Sequence, residues 1–147
     1  MLESLGQRLF HLGPLGAGQT VKIVNQMLAG GIMALIAEAF VLAKAAGANL
    51  EKMADVVSVS SGGSTMFDHR ARKFILADRY VPGFKTELMR KDVSLALEMA
   101  RQMDVPMPVA SAALQQYLAA IRQGLASEDF AAVVEVCQSQ AGVRLVE

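Results

Sequence analysis

Apolar residues recur with α-helical spacing along most of this chain, and clusters of Gly, Pro, Ser or Asn separate the apolar segments, for example at 60–64 and 80–83. Residues that favour helix N-termini stand at Asn49, Thr86 and Ser127. The predicted helices span residues 18–46, 50–59, 65–78, 86–103, 109–123 and 128–140. The pattern therefore predicts an all-α domain, a bundle of about six helices.

The longest predicted helix, residues 18–46, is apolar on all sides over its middle. Because such a helix is usually surrounded by others, we expect it at the centre of the bundle. The adjacent Gly30 and Gly31 cost about 1–2 kcal/mol of helix stability, which predicts a close helix–helix contact or a bend there. The apolar run 27–37 is too short to span a bilayer, and Glu38 ends it.

The first thirteen residues form a separate short pattern. Residues 2–8 are typical of the end of a helix, and the apolar residues 9–12 are stopped by Gly13 and Pro14. The apolar piece has the composition of a strand, but nothing nearby could pair with it.

Composition excludes several function classes. Fourteen basic residues balance fourteen acidic ones, so no net charge attracts nucleic acid or an anionic membrane. The apolar fraction of 53% is high for a soluble monomer and indicates that a partner buries part of the surface. The single cysteine, Cys137, fits a reducing cytoplasm and the pattern of a core residue. The start of the chain lacks the pattern of a signal peptide, and neither His11 nor His69 has a second ligand at metal spacing.

A first candidate cluster lies at the start of the longest helix. Lys22, Asn25 and Gln26 fall on one helix face, at the mouth of an otherwise apolar segment. They form either a functional site or the solvated first turn of an ordinary helix. The preceding Gly16 and Gly18 do not complete a dinucleotide fingerprint, because Val21 occupies the third glycine position and no second strand follows.

A second candidate cluster lies at residues 83–92. On the predicted helix 86–103, helical spacing predicts an inward stripe that includes Asp92, a carboxylate among apolar residues. A buried carboxylate needs a cationic partner, for which Lys22 and Lys91 are candidates; the alternative is a purely structural Asp. The apolar members of the stripe are Leu88, Leu95, Met99 and Met103.

Together the two clusters resemble the helical C-terminal domain of the β-hydroxyacid dehydrogenases, a 6-phosphogluconate-dehydrogenase-like family that includes 3-hydroxyisobutyrate dehydrogenase and tartronate semialdehyde reductase. One motif is a glycine pair followed by lysine and amides, and the other is F-x₆-K-D. The matching residues are Gly16, Gly18, Lys22, Asn25, Gln26, Phe84, Lys91 and Asp92. The resemblance implies hydride transfer between NAD or NADP and a small hydroxyacid, in a cytoplasmic homodimer or homotetramer.

The resemblance also implies roles for these residues. Lys22 would be the catalytic acid/base, and Asn25 and Gln26 would bind substrate. Phe84 would line the pocket between nicotinamide and substrate, while Lys91 would contact the cofactor and Asp92 would support the lysine network. One departure concerns the amides, since many members carry Asn where this chain has Gln26. The Asn-Gln order resembles the tartronate-semialdehyde-reductase-like variant.

A larger departure is that the family's N-terminal Rossmann domain is not found in these residues, and the Ser61–Gly63 triplet is not its substrate-binding loop. We expect residues 1–13 to be a remnant of that domain, residues 14–147 to be the catalytic and oligomerisation domain, and the cofactor to be bound mainly by the Rossmann part. Two alternatives are a non-catalytic helical dimerisation module and an unrelated all-α ligand-binding bundle.

The proposed chemistry requires a lysine that exchanges a proton near neutral pH. The ordinary lysine pKa of ~10.4 must therefore fall. We expect desolvation on the apolar helix and the positive end of the helix dipole to lower the pKa of Lys22. A basic cluster at Arg70, Arg72 and Lys73 is either a solvated helix face or a grip for the 2′-phosphate of NADP.

Overall fold

The computed structural model describes residues 10–146 as an all-α fold, which confirms the predicted class. Six α-helices follow one another, with a π-helical segment at Ala71–Leu76 and a 3₁₀ turn at Phe130–Ala132. Within residues 10–146 the structure has no strand, and Phe10–Leu12 are exposed irregular chain. The predictions for residues 1–9 lie outside the described residues. The α-helices are α1 Ala17–Ala45, α2 Leu50–Ser58, α3 Thr65–Arg70, α4 Thr86–Gln102, α5 Pro108–Arg122 and α6 Val133–Ala141.

The core forms where α1 packs against α4, α5 and α6. Gly30 brings α1 and α4 together, because a Cβ there would lie 2.8 Å from Val93 Cγ2 and 2.9 Å from Met89 Sδ. The buried Tyr117 hydroxyl on α5 donates a hydrogen bond of 2.8 Å to the Gly30 carbonyl oxygen. The predicted close contact is therefore confirmed at Gly30, whereas a Cβ at Gly31 would meet nothing within 4 Å.

The prediction that other helices surround α1 on all sides is wrong. Four apolar side chains spaced by seven residues remain exposed, since the other helices pack on the opposite side of α1. By length and composition alone α1 could also cross a membrane, as could many long core helices of soluble proteins. The buried residues of α1 lie in the core described above. The exposed side chains are Val21 (48% exposed), Leu28 (52%), Leu35 (60%) and Leu42 (71%); we call them the α1 stripe.

The predicted inward stripe of α4 is also wrong by about one position. Leu88, Leu95 and Met103 are 39%, 44% and 66% exposed. Apolar residues occupy two faces of α4, and the face with smaller side chains packs against Gly30 because it permits the closer approach. The buried residues of α4 are Thr86, Met89, Val93, Ala96 and Ala100.

Among the predicted caps, Asn49 is confirmed, because its side chain accepts a hydrogen bond of 2.9 Å from the Lys52 amide. Thr86 and Ser127 do not cap their helices. The Thr86 hydroxyl is buried and donates to the Glu128 carbonyl oxygen (3.1 Å). Asp129 instead caps the turn before α6. The predicted helix 65–78 is α3 continued by the π-helical segment.

Candidate functional site

A chain of polar side chains joins the start of α1 to α4. Asn25 Nδ2 donates to Gln26 Oε1 at 3.3 Å, and Gln26 Nε2 donates to Asp92 Oδ2 at 3.0 Å. The other carboxylate oxygen, Asp92 Oδ1, lies 3.2 Å from Lys91 Nζ. The two motifs, 66 residues apart in sequence, therefore meet in one place. We call these four residues the amide–carboxylate chain.

Asp92 is mostly enclosed, although the helix stripe that predicted this was misplaced. Its side chain is 14% exposed, while that of Lys91 is 55% exposed. The carboxylate lies at the edge of the α1–α4 contact, next to the buried Val93. The carboxylate accepts the hydrogen bond from Gln26, and the Lys91 ammonium group that pairs with it remains largely exposed to solvent.

Lys22 and Phe84 lie outside the amide–carboxylate chain. Lys22 is one helical turn before Gln26 on α1 and is exposed, so the described residues do not supply the expected desolvation of its ammonium group. Phe84 is half-buried in the segment before α4, with its ring edge-on to that of Phe130 at a centroid distance of 6.0 Å.

A cleft of about 430 Å³ opens between α1 and α3, beside the amide–carboxylate chain. One wall carries Asn25 and Gln26, and the opposite wall carries hydrogen-bonding groups of α3 and its N-terminal cap. The polar residues of this second wall are Ser64, Thr65, His69 and Arg70. The cleft can thus receive a small polar molecule in reach of both predicted substrate-binding amides.

The sequence indicates Arg70 only as part of the basic cluster and gives no sign of Asp129, yet the two residues make the most enclosed ionic contact described in the structure. Arg70 Nη1 lies 3.4 Å from Asp129 Oδ2, with the side chains 17% and 0% exposed. Asp129 Oδ2 also accepts hydrogen bonds from the backbone amides of Gly83 (3.0 Å) and Phe84 (3.1 Å). In the sequence Arg70 belongs to a basic cluster, so the pattern gave no sign that it points inward.

The rest of the basic cluster is exposed. Arg72 bridges Glu51 and Asp55 on α2, and the Lys73 ammonium lies 5.4 Å from the centre of the Phe74 ring. The interpretation as a solvated helix face therefore holds for Arg72 and Lys73 and is wrong for Arg70.

Two further observations limit the chemistry of the described residues. Cys137 is buried, and burial raises the pKa of its thiol to about 11, so it stays protonated near neutral pH and is a core residue as predicted. Among residues 10–146, no three His, Cys, Asp or Glu side chains converge as metal ligands would.

Comparison with known proteins identifies relatives over most of this chain. The family model described as "NAD-binding of NADP-dependent 3-hydroxyisobutyrate dehydrogenase" matches residues 16–137. The 2-(hydroxymethyl)glutarate dehydrogenase of Eubacterium barkeri is 38% identical over 97% of this chain and 48% of its own length. The L-threonate dehydrogenase of Escherichia coli K12 is 37% identical over 92% of this chain and 45% of its own length.

A solved structure shares the fold. The crystal structure of 3-hydroxyisobutyrate dehydrogenase from Salmonella typhimurium superposes with a TM-score of 0.78 and 40% identity. The match covers 82% of this chain and 42% of that one. This chain thus spans about half the length of the relatives it matches.

The description of the family model attributes NAD binding to the matched region, whereas the resemblance implies that the Rossmann domain makes most of the contacts with the cofactor. NAD or NADP is the cofactor of the family. The match extends over both polar motifs and the cleft beside them. The chain therefore belongs to the NAD(P)-dependent 3-hydroxyisobutyrate-type dehydrogenases, the β-hydroxyacid dehydrogenase family.

Proposed function

We propose that this chain is the C-terminal catalytic and substrate-binding part of an NAD(P)-dependent 3-hydroxyacid dehydrogenase, with Lys22 as its acid/base. The observation that carries the proposal is the 3.0 Å hydrogen bond from Gln26 to Asp92, which joins the two motifs beside the cleft. Family membership supports the reaction class. The substrate is a small 3-hydroxyacid, and the protein is cytoplasmic.

The residues fit the cofactor as well as the substrate. Phe84 presents a half-buried aromatic ring, and Lys91 presents a largely exposed ammonium group anchored to Asp92. These two residues would line the cofactor site, with the ring packing against a flat heterocycle and the ammonium pairing with an anionic group. When bound, the nicotinamide accepts or supplies the hydride.

Side chains of this protein transfer the proton and bind the substrate. In the oxidation direction Lys22 Nζ, in its neutral form, takes the proton of the substrate hydroxyl. The hydride leaves the carbon that bears this hydroxyl, and the alcohol becomes a carbonyl. In reduction the Lys22 ammonium returns that proton to the developing alkoxide. Asn25 and Gln26 hold substrate oxygens without adding charge. Because Lys22 is exposed here, closure of the site by the remainder of the enzyme supplies the desolvation that this chemistry requires.

This proposal is tested by joining the chain to the part of the Eubacterium barkeri relative that it does not match and measuring NAD(P)-linked oxidation of small 3-hydroxyacids. We expect turnover by the joined protein and none by this chain alone. A folded joined protein that binds no cofactor and turns over no 3-hydroxyacid would favour the alternative, a non-catalytic helical module.

The α1 stripe supports assembly into a homo-oligomer, a dimer or a tetramer. Its four exposed apolar side chains repeat every seven residues along a helix of 29 residues, a pattern that buries well against a second helix. Light scattering should therefore give a mass in solution of at least twice the 15.7 kDa of one chain, and Leu35→Glu should shift that mass toward the monomer. A wild-type monomer at micromolar concentration would contradict this assignment.

A further inference from the structure

The fully buried Asp129 has no part in the reaction proposed above, yet it makes more polar contacts than any catalytic candidate. Its side chain accepts hydrogen bonds from the amides of Gly83 (3.0 Å), Phe84 (3.1 Å) and Ala131 (3.0 Å). Its fourth contact is the ion pair with Arg70 at 3.4 Å. Two of these four contacts fix the short segment that carries Phe84.

Arg70 is held from both sides. Its guanidinium carbon lies 4.6 Å from the centre of the Phe74 ring and 4.7 Å from that of the Phe130 ring. Its Nε is buried without a hydrogen-bond partner. Burying a charge in this way stabilises a fold weakly or not at all compared with an apolar packing, so a purely stabilising role explains the arrangement poorly.

The pair connects the cleft to the segment that carries Phe84. Arg70 ends α3 and borders the cleft that contains Asn25 and Gln26. Through Asp129 it reaches the backbone of Phe84, and Phe130, which covers one face of Arg70, also packs edge-on against the Phe84 ring. A displacement of either charged residue would therefore change where Phe84 stands relative to the cleft.

We infer that Arg70 and Asp129 are positioning residues that fix the position of Phe84 relative to the cleft between α1 and α3, which Arg70 lines. They act through the amide of Phe84 and the ring of Phe130 and touch no reacting atom. The consequence for catalysis rests on the proposed function, whereas the position of Phe84 can be tested without it.

The first test uses fluorescence of this chain. Because the sequence has no Trp, Phe84→Trp creates a single reporter at the position in question. Adding Arg70→Met should raise the acrylamide quenching constant of that reporter at least about twofold, because Asp129, which accepts from the Phe84 amide, loses its ion-pair partner and Phe130 loses the guanidinium group against its ring. Arg101→Met is the matched control, because Arg101 grips Glu98 by two hydrogen bonds (3.0 and 2.7 Å) on the exposed face of α4.

Unchanged quenching in a folded Arg70→Met variant would overturn the inference, as would an equal rise with Arg101→Met. If circular dichroism shows that Arg70→Met does not fold, Arg70→Lys replaces it. That variant keeps the charge but loses the planar fork and its stacking. It should raise the quenching constant by a smaller amount, and an unchanged constant would likewise overturn the inference.

The second test is kinetic and uses the joined protein described above. Arg70→Met should lower kcat about tenfold or more while KM for the hydroxyacid changes less than about threefold, because misplacement of a wall by a fraction of an ångström reduces the reactive population. Arg70→Lys should recover part of kcat, and Arg101→Met should change neither constant. An unchanged kcat in Arg70→Met would overturn the catalytic part of the inference. Absence of turnover in the parent joined protein would instead count against the proposed function, and the fluorescence result would still decide the position of Phe84.

Discussion

Two neighbouring regions of this molecule carry polar side chains and differ in how complete they are. The amide–carboxylate chain of Asn25, Gln26, Lys91 and Asp92 is open to solvent along much of its length, and its lysine is 55% exposed. The pair of Arg70 and Asp129 is closed, with the carboxylate fully buried and satisfied by four contacts.

The difference agrees with the two roles proposed for these regions. A region that binds and transforms small molecules has to stay accessible until its ligands and the remaining walls arrive. A region that only positions other residues can be finished within the chain itself, and packing then restricts its geometry. The sequence motifs mark the open region, whereas the closed one is visible only when the chain is folded.

The largest effect expected from this comparison concerns Asp129. Asp129→Ala should lower the free energy of unfolding by about 3–5 kcal/mol, because it leaves Arg70 charged, largely buried and unpaired and removes the acceptor for three amides. Urea denaturation of this chain measures the change. A loss below about 1 kcal/mol would show that the closed region is less tightly built than the contacts indicate.

An intermediate effect distinguishes two adjacent glycines, one on each side of α1. Gly30→Ala should destabilise by about 1–3 kcal/mol, since the new methyl group would press on Val93 and Met89 in the core. Gly31→Ala is the matched control and should be neutral or stabilise by up to about 1 kcal/mol, because a Cβ there meets open space and alanine favours the helix. Thermal unfolding measures both variants, and an equal loss of stability in the two would contradict the assignment of the two faces of α1.

The smallest effect is expected in the open region. Asp92→Ala should cost about 1–2 kcal/mol, because it removes one charge-assisted hydrogen bond from Gln26 while its ion-pair partner Lys91 is half exposed. Calorimetry of this variant beside Asp129→Ala tests the ranking. If Asp92→Ala proved the more damaging, the distinction between an open and a closed region would be wrong.

How far the sequence predicts this molecule depends on the range of the interaction. Helical spacing and the Asn49 cap are local, and the structure reproduces four of the six predicted helices to within a few residues, while it resolves the third and the last into shorter pieces. The predicted face of α4 is wrong because two apolar stripes compete on this helix, and only the approach of Gly30 decides which of them is buried.

The candidate site shows the same limit. The contact of Gln26 with Asp92 follows from two recognisable motifs, although neither motif specifies it alone. Arg70 and Asp129 belong to no motif, and their pairing depends on how the end of α3 and the segment before α4 both meet the turn before α6. Single-sequence patterns contain no signal for such a contact.

The central claim, that Lys22 transfers the proton, is tested most directly by Lys22→Ala in the joined protein, with Lys52→Ala on the exposed face of α2 as the control. If Lys22 is the acid/base, kcat should fall about 10²–10⁴-fold, while the dissociation constant for NAD(P)H, measured by fluorescence titration, changes less than about threefold. Lys52→Ala should leave both quantities unchanged. Near-normal turnover in Lys22→Ala, with cofactor binding intact, would contradict the account.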